Sequence, residues 1–142
     1  MNKKSSVQKR PQEQKNKTVL VMEDEKSLLS AIKKKLELND FSVVTARSVD
    51  EALKRLAETG SINLIWLDHY LLGKDNGFDF MAKIRRGSKR YKHIPVFVVT
   101  NTASHEKVQL YKQLGIGKYY TKADYRLDHI ISDIKEHLSN KR

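Results

Sequence analysis

Apolar residues are distributed along this chain in two rhythms: short runs of consecutive aliphatics, and longer stretches with an apolar residue every third or fourth place. The longest run is Ile62-Asn63-Leu64-Ile65-Trp66-Leu67-Asp68, five apolar side chains around one asparagine that end in a carboxylate. It predicts a buried strand, and the turn-forming residues Gly73, Lys74, Asp75, Asn76 and Gly77 place Asp68 at the carboxyl end of that strand. Thr18-Val19-Leu20-Val21-Met22 is a second apolar run, broken at once by Glu23, Asp24 and Glu25. Pro95-Val96-Phe97-Val98-Val99 is a third, with its proline tolerated at the first position, and it ends in Thr100-Asn101-Thr102. Phe41 to Ala46 and Lys118-Tyr119-Tyr120-Thr121 are more mixed, as edge strands can be, and Lys122 stands at the end of the latter.

Between these runs the period changes to that of a helix. Leu28, Leu29, Ile32 and Leu36 share one face, with Lys33, Lys34 and Lys35 outside and Asn39 where a C-terminal cap belongs. Ser48-Val49-Asp50-Glu51 has the capping-box spacing and opens a helix through Leu53 and Leu56 that closes at Gly60. Phe78, Met81 and Ile84 mark a helix ending at Gly87, followed by a polar loop from Ser88 to His93. A further helix runs from about Ser104 to Gly115 with Val108 and Tyr111 inward. Leu127, Ile130, Ile131, Ile134 and Leu138 form the cleanest stripe of all. Five strands alternating with five helices predict an α/β fold, a doubly wound five-stranded parallel sheet with helices on both faces. Strands one, three and four are the most uniformly apolar and belong in the centre, which matches the flavodoxin-like order 2-1-3-4-5.

That order makes strands one and three neighbours, so Glu23 and Asp24 approach Asp68 where the direction of winding reverses, the edge at which such sheets bind ligands. Carboxylates this close raise one another's pKa and need protons or a cation. With oxygen ligands alone, a hard octahedral ion such as Mg²⁺ is the natural candidate. Thr100 and Lys122 bring a hydroxyl and an ammonium to the same edge. Together these groups describe a phosphoryl site, in which the cations neutralise oxygens, the hydroxyl donates a hydrogen bond and one carboxylate attacks phosphorus. Each residue has a simpler explanation by itself: the acids suit a helix N-terminus, Asp68 a turn, Thr100 a cap and Lys122 the surface. His69 and His105 flank the pocket without partners at metal-ligand spacing. No phosphate-binding glycine loop follows strand one, and no second carboxylate stands two residues after Asp68.

Composition narrows the classes. The 142 residues fit one domain, 18–139, and cysteine is absent, which excludes thiol chemistry and thiolate metal sites. No apolar run reaches the length of a membrane span, and the N-terminus lacks a signal-peptide core, so a soluble cytoplasmic protein is expected. The formal net charge is +11, of which residues 1–17 carry +5. With Val7 as its only large aliphatic, that basic tail is expected to be disordered, and residues 140–142 form a short C-terminal tail. A solvated tail that aids solubility is the simpler reading, because no aromatic is interleaved to stack on bases.

The residues Glu23 and Asp24 after strand one, Asp68 after strand three, Thr100 after strand four, and Lys122 with Tyr119 three places earlier stand in chain order at the right strand ends. In this the chain, over roughly residues 17 to 139, resembles the receiver domain of two-component response regulators. The resemblance implies that Asp68 accepts a phosphoryl group from the phosphohistidine of a sensor kinase, a phosphotransfer protein or a small phosphodonor. It implies that Asp24, Asp68 and the backbone carbonyl of Tyr70 bind Mg²⁺, with Glu23 holding a metal-bound water and Lys122 pairing with phosphoryl oxygens. Thr100 would move toward the phosphoryl group and Tyr119 would follow inward, altering the face made by the fourth helix, fifth strand and fifth helix, a possible homodimer surface. Tyr70 and Thr102 occupy positions that tune how long the aspartyl phosphate lasts, and bulky Tyr70 is expected to lengthen its life. The chain departs from the family at Ala123, Leu72 and Asn101, where a cis proline, a proline and a small residue are usual. A cis bond before Ala123 would cost about 3–4 kcal/mol, which leaves the shape of that loop open. Asn101 is expected either to narrow access to the phosphoryl site or to reach it with a hydrogen bond.

The expectation is thus a stand-alone phosphoacceptor whose output is contact with a downstream protein, and which is not an enzyme. Two alternatives remain: a receiver-like binding module without the phosphorylation cycle, and nucleic-acid contact through the basic tail, although nucleic acid is not the expected partner.

Overall fold

In the computed structural model the described residues are 17–87, 89–102 and 104–139. The tails expected at 1–17 and 140–142 therefore lie, Lys17 apart, outside the described residues.

The elements follow the sequence pattern closely. Strands β1 (Thr18–Met22), β2 (Ser42–Ala46), β3 (Leu64–Leu67), β4 (Val96–Thr100) and β5 (Lys118–Thr121) alternate with helices α1 (Lys26–Leu38), α2 (Val49–Glu58), α3 (Gly77–Arg86), α4 (His105–Gln113) and α5 (Leu127–Ser139). The sheet is parallel throughout, in the order β2-β1-β3-β4-β5. The three central strands are buried along nearly their whole length, as runs of β-branched and aromatic residues covered on both faces must be.

Successive side chains in a strand point to opposite faces, so each central strand feeds two cores. On one face Leu20, Met22, Ile65, Leu67, Val96 and Val98 pack against α2, α3 and α4 through Leu56, Phe80, Met81, Ile84 and Tyr111. On the other, Val19, Val21, Leu64, Trp66, Phe97 and Val99 meet α1 and α5 through Ile32, Leu36, Ile130, Ile131 and Ile134.

Local signals explain the element ends. Ser48 accepts from the Glu51 amide at 3.1 Å as its spacing predicts, but the Glu51 carboxylate returns to the amide of Arg47 instead of its own cap residue. A complete reciprocal capping box forms between Asn76, in the stretch read from sequence as a glycine loop, and Asp79 in the helix that follows. The expected polar loop from Ser88 to His93 contains a helical turn, Lys89–Lys92. That turn is held because Tyr91 packs on the core and its carbonyl accepts from Ile94 and from Arg85. After β5 the chain makes a short 3-10 turn, Lys122–Asp124, and the Lys122–Ala123 peptide is trans. Among the described residues no helix is long and apolar enough to cross a membrane.

Candidate functional site

The β1–β3 pairing decides the site. Met22 lies opposite Leu67 in register, and the Asp68 amide donates to the Met22 carbonyl, so the acids that follow each strand emerge side by side. Glu23, Asp24 and Asp68 each bring a carboxylate oxygen to within 4.8 Å of the others.

Two of these carboxylates are buried. Glu23 is 1 % exposed and Asp68 2 % exposed, whereas Asp24 is half-buried. Lys122 reaches over from the end of β5 and holds both buried acids, donating to Glu23 Oε1 at 2.9 Å and Asp68 Oδ2 at 3.0 Å. Burial raises the pKa of Glu23 to about 7, against the hydrogen bond from Lys122 and with the charge of Asp68 adding to the rise. The Lys122 ammonium is itself held above its ordinary value: burial opposes the charge, but its two carboxylate partners outweigh that. One lysine facing three acids leaves net negative charge, and the donor set is all oxygen. These residues fit a hard divalent cation.

Thr100 ends β4 in register with Thr121, the residue before Lys122. It is fully buried, and its hydroxyl finds no hydrogen-bond partner among the described residues. An unpaired buried hydroxyl costs about 1–3 kcal/mol, which makes a ligand oxygen its natural acceptor. The Thr102 hydroxyl is likewise unpartnered, while the Thr102 carbonyl accepts from the phenol of Tyr119. Tyr119 is turned inward, half-buried, with its ring 6.0 Å from that of Tyr111.

Tyr70 follows the acid loop and is 45 % exposed. Lys107 on α4 donates to its hydroxyl at 3.0 Å and stands 5.2 Å from its ring centre, so the phenol caps the outer side of the loop. The hydrogen bond from Lys107 lowers the pKa of that phenol. Asn101 is exposed and makes no hydrogen bond among the described residues, and Leu72 is 44 % exposed. His105, at the first turn of α4, is exposed.

Sequence reasoning passed over two contributors, Arg47 and Lys107, and did not find the partner of His69. Arg47, just beyond β2, donates from Nε and Nη2 to the Asp24 carbonyl at 2.9 and 2.6 Å and so fixes the acidic turn. Its only signal was a lone arginine at a strand end. Lys107 sits where the helical period marks a solvent position, with no local sign that it covers Tyr70. His69 is buried beside Asp68 with its Nδ1 2.6 Å from the Tyr111 hydroxyl.

Comparison with known proteins agrees with this geometry. The family described as the response regulator receiver domain matches residues 19–135. The chain is 33% identical over 107 residues to the alkaline phosphatase synthesis transcriptional regulatory protein PhoP of Bacillus subtilis, covering 75% of this chain and 42% of PhoP. It is 31% identical over 104 residues to the transcriptional regulatory protein CpxR of Escherichia coli, covering 73% and 42%. The chain thus spans less than half the length of these relatives. Among solved structures it resembles the non-phosphorylated HemR receiver domain from Leptospira biflexa, with a TM-score of 0.76, 25% identity, and coverage of 89% of this chain and 97% of the other. The Francisella response regulator 1452 receiver domain matches at TM-score 0.75 and 26% identity, covering 89% and 100%. An acid triad gathered by β1 and β3, a lysine from β5 and a matching sequence profile together establish that this chain belongs to the receiver domain family of two-component response regulators.

Proposed function

We propose that this receiver is a phosphoacceptor in which Asp68 takes a phosphoryl group from a phosphohistidine on a sensor kinase or phosphotransfer protein. The observation that carries the reading is Asp68 itself: a buried carboxylate with one oxygen on Lys122, beside Glu23 and Asp24 and near an unpartnered threonine hydroxyl.

An oxygen of Asp68 forms the new O–P bond while the N–P bond of the donor breaks and its electron pair returns to the imidazole nitrogen. The product is an acyl phosphate. Asp24, Asp68 and the Tyr70 carbonyl would hold Mg²⁺, with Glu23 beside it, and the bound ion would neutralise phosphoryl oxygens. Lys122 holds Asp68 in place before the reaction and supplies a cation to the added oxygens after it. Thr100 donates its free hydroxyl to one of those oxygens. Tyr119, already inward and bonded to the Thr102 carbonyl, carries the change to the α4–β5–α5 face, where a downstream protein or a second copy of the chain binds. The reaction is self-directed, so the chain is a signalling module and not an enzyme acting on a separate substrate.

Incubation with Mg²⁺ and acetyl phosphate tests this. A mass gain of one phosphoryl group in the natural chain, lost in Asp68→Asn, is expected. No gain in the natural chain would leave the alternative of a binding module that keeps the fold without the cycle.

A further inference from the structure

Positive charge is not spread over this domain. Residues 83–93 hold six Lys and Arg and no acid, whereas the rest of 18–139 holds fourteen Lys and Arg against sixteen Asp and Glu. The stretch covers the end of α3, the helical turn Lys89–Lys92 and the approach to β4. In a parallel sheet every strand starts at one edge and every crossover helix ends there, so this stretch lies at the edge opposite Asp68.

Two arginines pin it in place. Arg90 donates to the carbonyls of Thr59 and Gly60 beyond α2. Arg85 donates to those of Leu114 and Gly115 beyond α4, and to Tyr91 and Ile94. Of the four remaining cations, Lys83 stands 3.8 Å from Asp75, whereas Arg86, Lys89 and Lys92 are exposed and make no ion pair among the described residues, and His93 is exposed beside them. Lys17, the first described residue, stands at the same edge. Lys17 leads into β1, two strand spacings (about 10 Å) from the start of β4, and residues 1–16 before it hold five Lys and Arg and one Glu. Lys141 and Arg142 follow the end of α5.

We infer that this basic edge binds the phosphate backbone of nucleic acid, remote from the phosphoacceptor and independent of it. Charge alone would also draw an acidic protein or an anionic membrane, but stable attachment to either adds an apolar contribution. A protein interface has an apolar centre, and a membrane-bound surface buries apolar side chains among the lipids. None of the large exposed hydrophobic residues, Leu38, Tyr70, Leu72, Leu110 and Tyr125, falls within 83–93. A polyphosphate backbone requires only closely spaced cations, and each phosphate they neutralise releases a counterion.

The test is fluorescence anisotropy of a labelled 20-base-pair DNA duplex of arbitrary sequence, titrated with the full chain between 50 and 200 mM NaCl. Binding that weakens steeply with salt is expected. Replacing Arg86, Lys89 and Lys92 together by Gln should lower affinity by at least about 10-fold at 100 mM salt and reduce the slope of log K against log salt by about 2 to 3. A control with the same loss of charge elsewhere, Lys26→Gln, Lys54→Gln and Lys74→Gln, should retain most of the affinity, as should Asp68→Asn. The inference is overturned if the duplex is not bound at 50 mM salt or if the two triple variants weaken binding equally. It is equally overturned if phosphatidylserine vesicles bind the chain more tightly than the duplex.

Discussion

The Nδ1 of His69 and the hydroxyl of Tyr111 lie 2.6 Å apart in the buried core, joining the residue after Asp68 to the last turn of α4. Both side chains are shielded from solvent, and Phe78 packs against each ring. Burial raises the pKa of the Tyr111 phenol and lowers that of the His69 imidazole, so both are neutral at pH 7 and share one hydrogen bond, its direction set by the imidazole tautomer. The bond is possible only because residue 77 is glycine: a Cβ there would stand 1.9 Å from the Tyr111 hydroxyl oxygen.

Tyr111→Phe leaves the buried imidazole nitrogen without a partner and should cost about 1–3 kcal/mol. Gly77→Ala forces the phenol out of place and should destabilise as well. Removing the hydroxyl removes the closest clash, so urea denaturation of the double variant should show a loss smaller than the sum of the singles. Strict additivity would mean that the two sites do not share this contact.

Among the described residues Lys122 is the only cation paired with either buried acid, so Lys122→Met strands two carboxylates away from water. A loss of about 3–5 kcal/mol is expected in the absence of divalent ions. Asp68→Asn relieves repulsion and should change stability little or raise it. Thermal denaturation in EDTA, comparing both variants with the natural chain, measures the contrast.

A divalent ion that binds the folded chain alone must stabilise it. At ten times its dissociation constant the gain is about 1.4 kcal/mol. Addition of Mg²⁺ should therefore raise the melting temperature, EDTA should reverse the effect, and Asp24→Asn should abolish it. Arg47→Ala, which frees the Asp24 carbonyl, should weaken the response without removing it.

Tyr70 is held over the acid loop by Lys107. If its ring shields the acyl phosphate from water, Tyr70→Ala should shorten the phosphorylated lifetime several-fold and Lys107→Ala should shorten it less. Decay of the phosphorylated species by intact-mass measurement gives both rates, and an unchanged or longer lifetime in Tyr70→Ala would remove that role.

Tyr120 is buried and donates to Asp133 at 2.6 Å. Burial, then this hydrogen bond, raises its pKa above the unfolded value near 10. The folded state therefore keeps the proton longer than the unfolded one. The associated stability is complete below pH 10 and is lost as pH rises beyond it. Urea midpoints measured from pH 8 to pH 11 should fall above pH 10, and less steeply in Tyr120→Phe.

The fold was legible because its signals are local. Periodicity reports which side chains share a face, and the uniformly apolar runs of β1, β3 and β4 could only be central. Strand order then follows, and with it the convergence of Glu23, Asp24 and Asp68. The helical turn at Lys89–Lys92 was missed because its support comes from contacts outside it, the Arg85 guanidinium and the core on which Tyr91 packs.

By itself the sequence determined where strands end and which acids, hydroxyl and ammonium stand there, since those depend on neighbours along the chain. Only the tertiary structure decided that Arg47 grips Asp24, that Lys107 covers Tyr70 and that Tyr111 finds His69. Those relationships join residues 23 to more than 40 positions apart, and no local pattern specifies a partner at that range. Packing of one helix face on one sheet face brings them together, and that geometry exists only once the chain has folded.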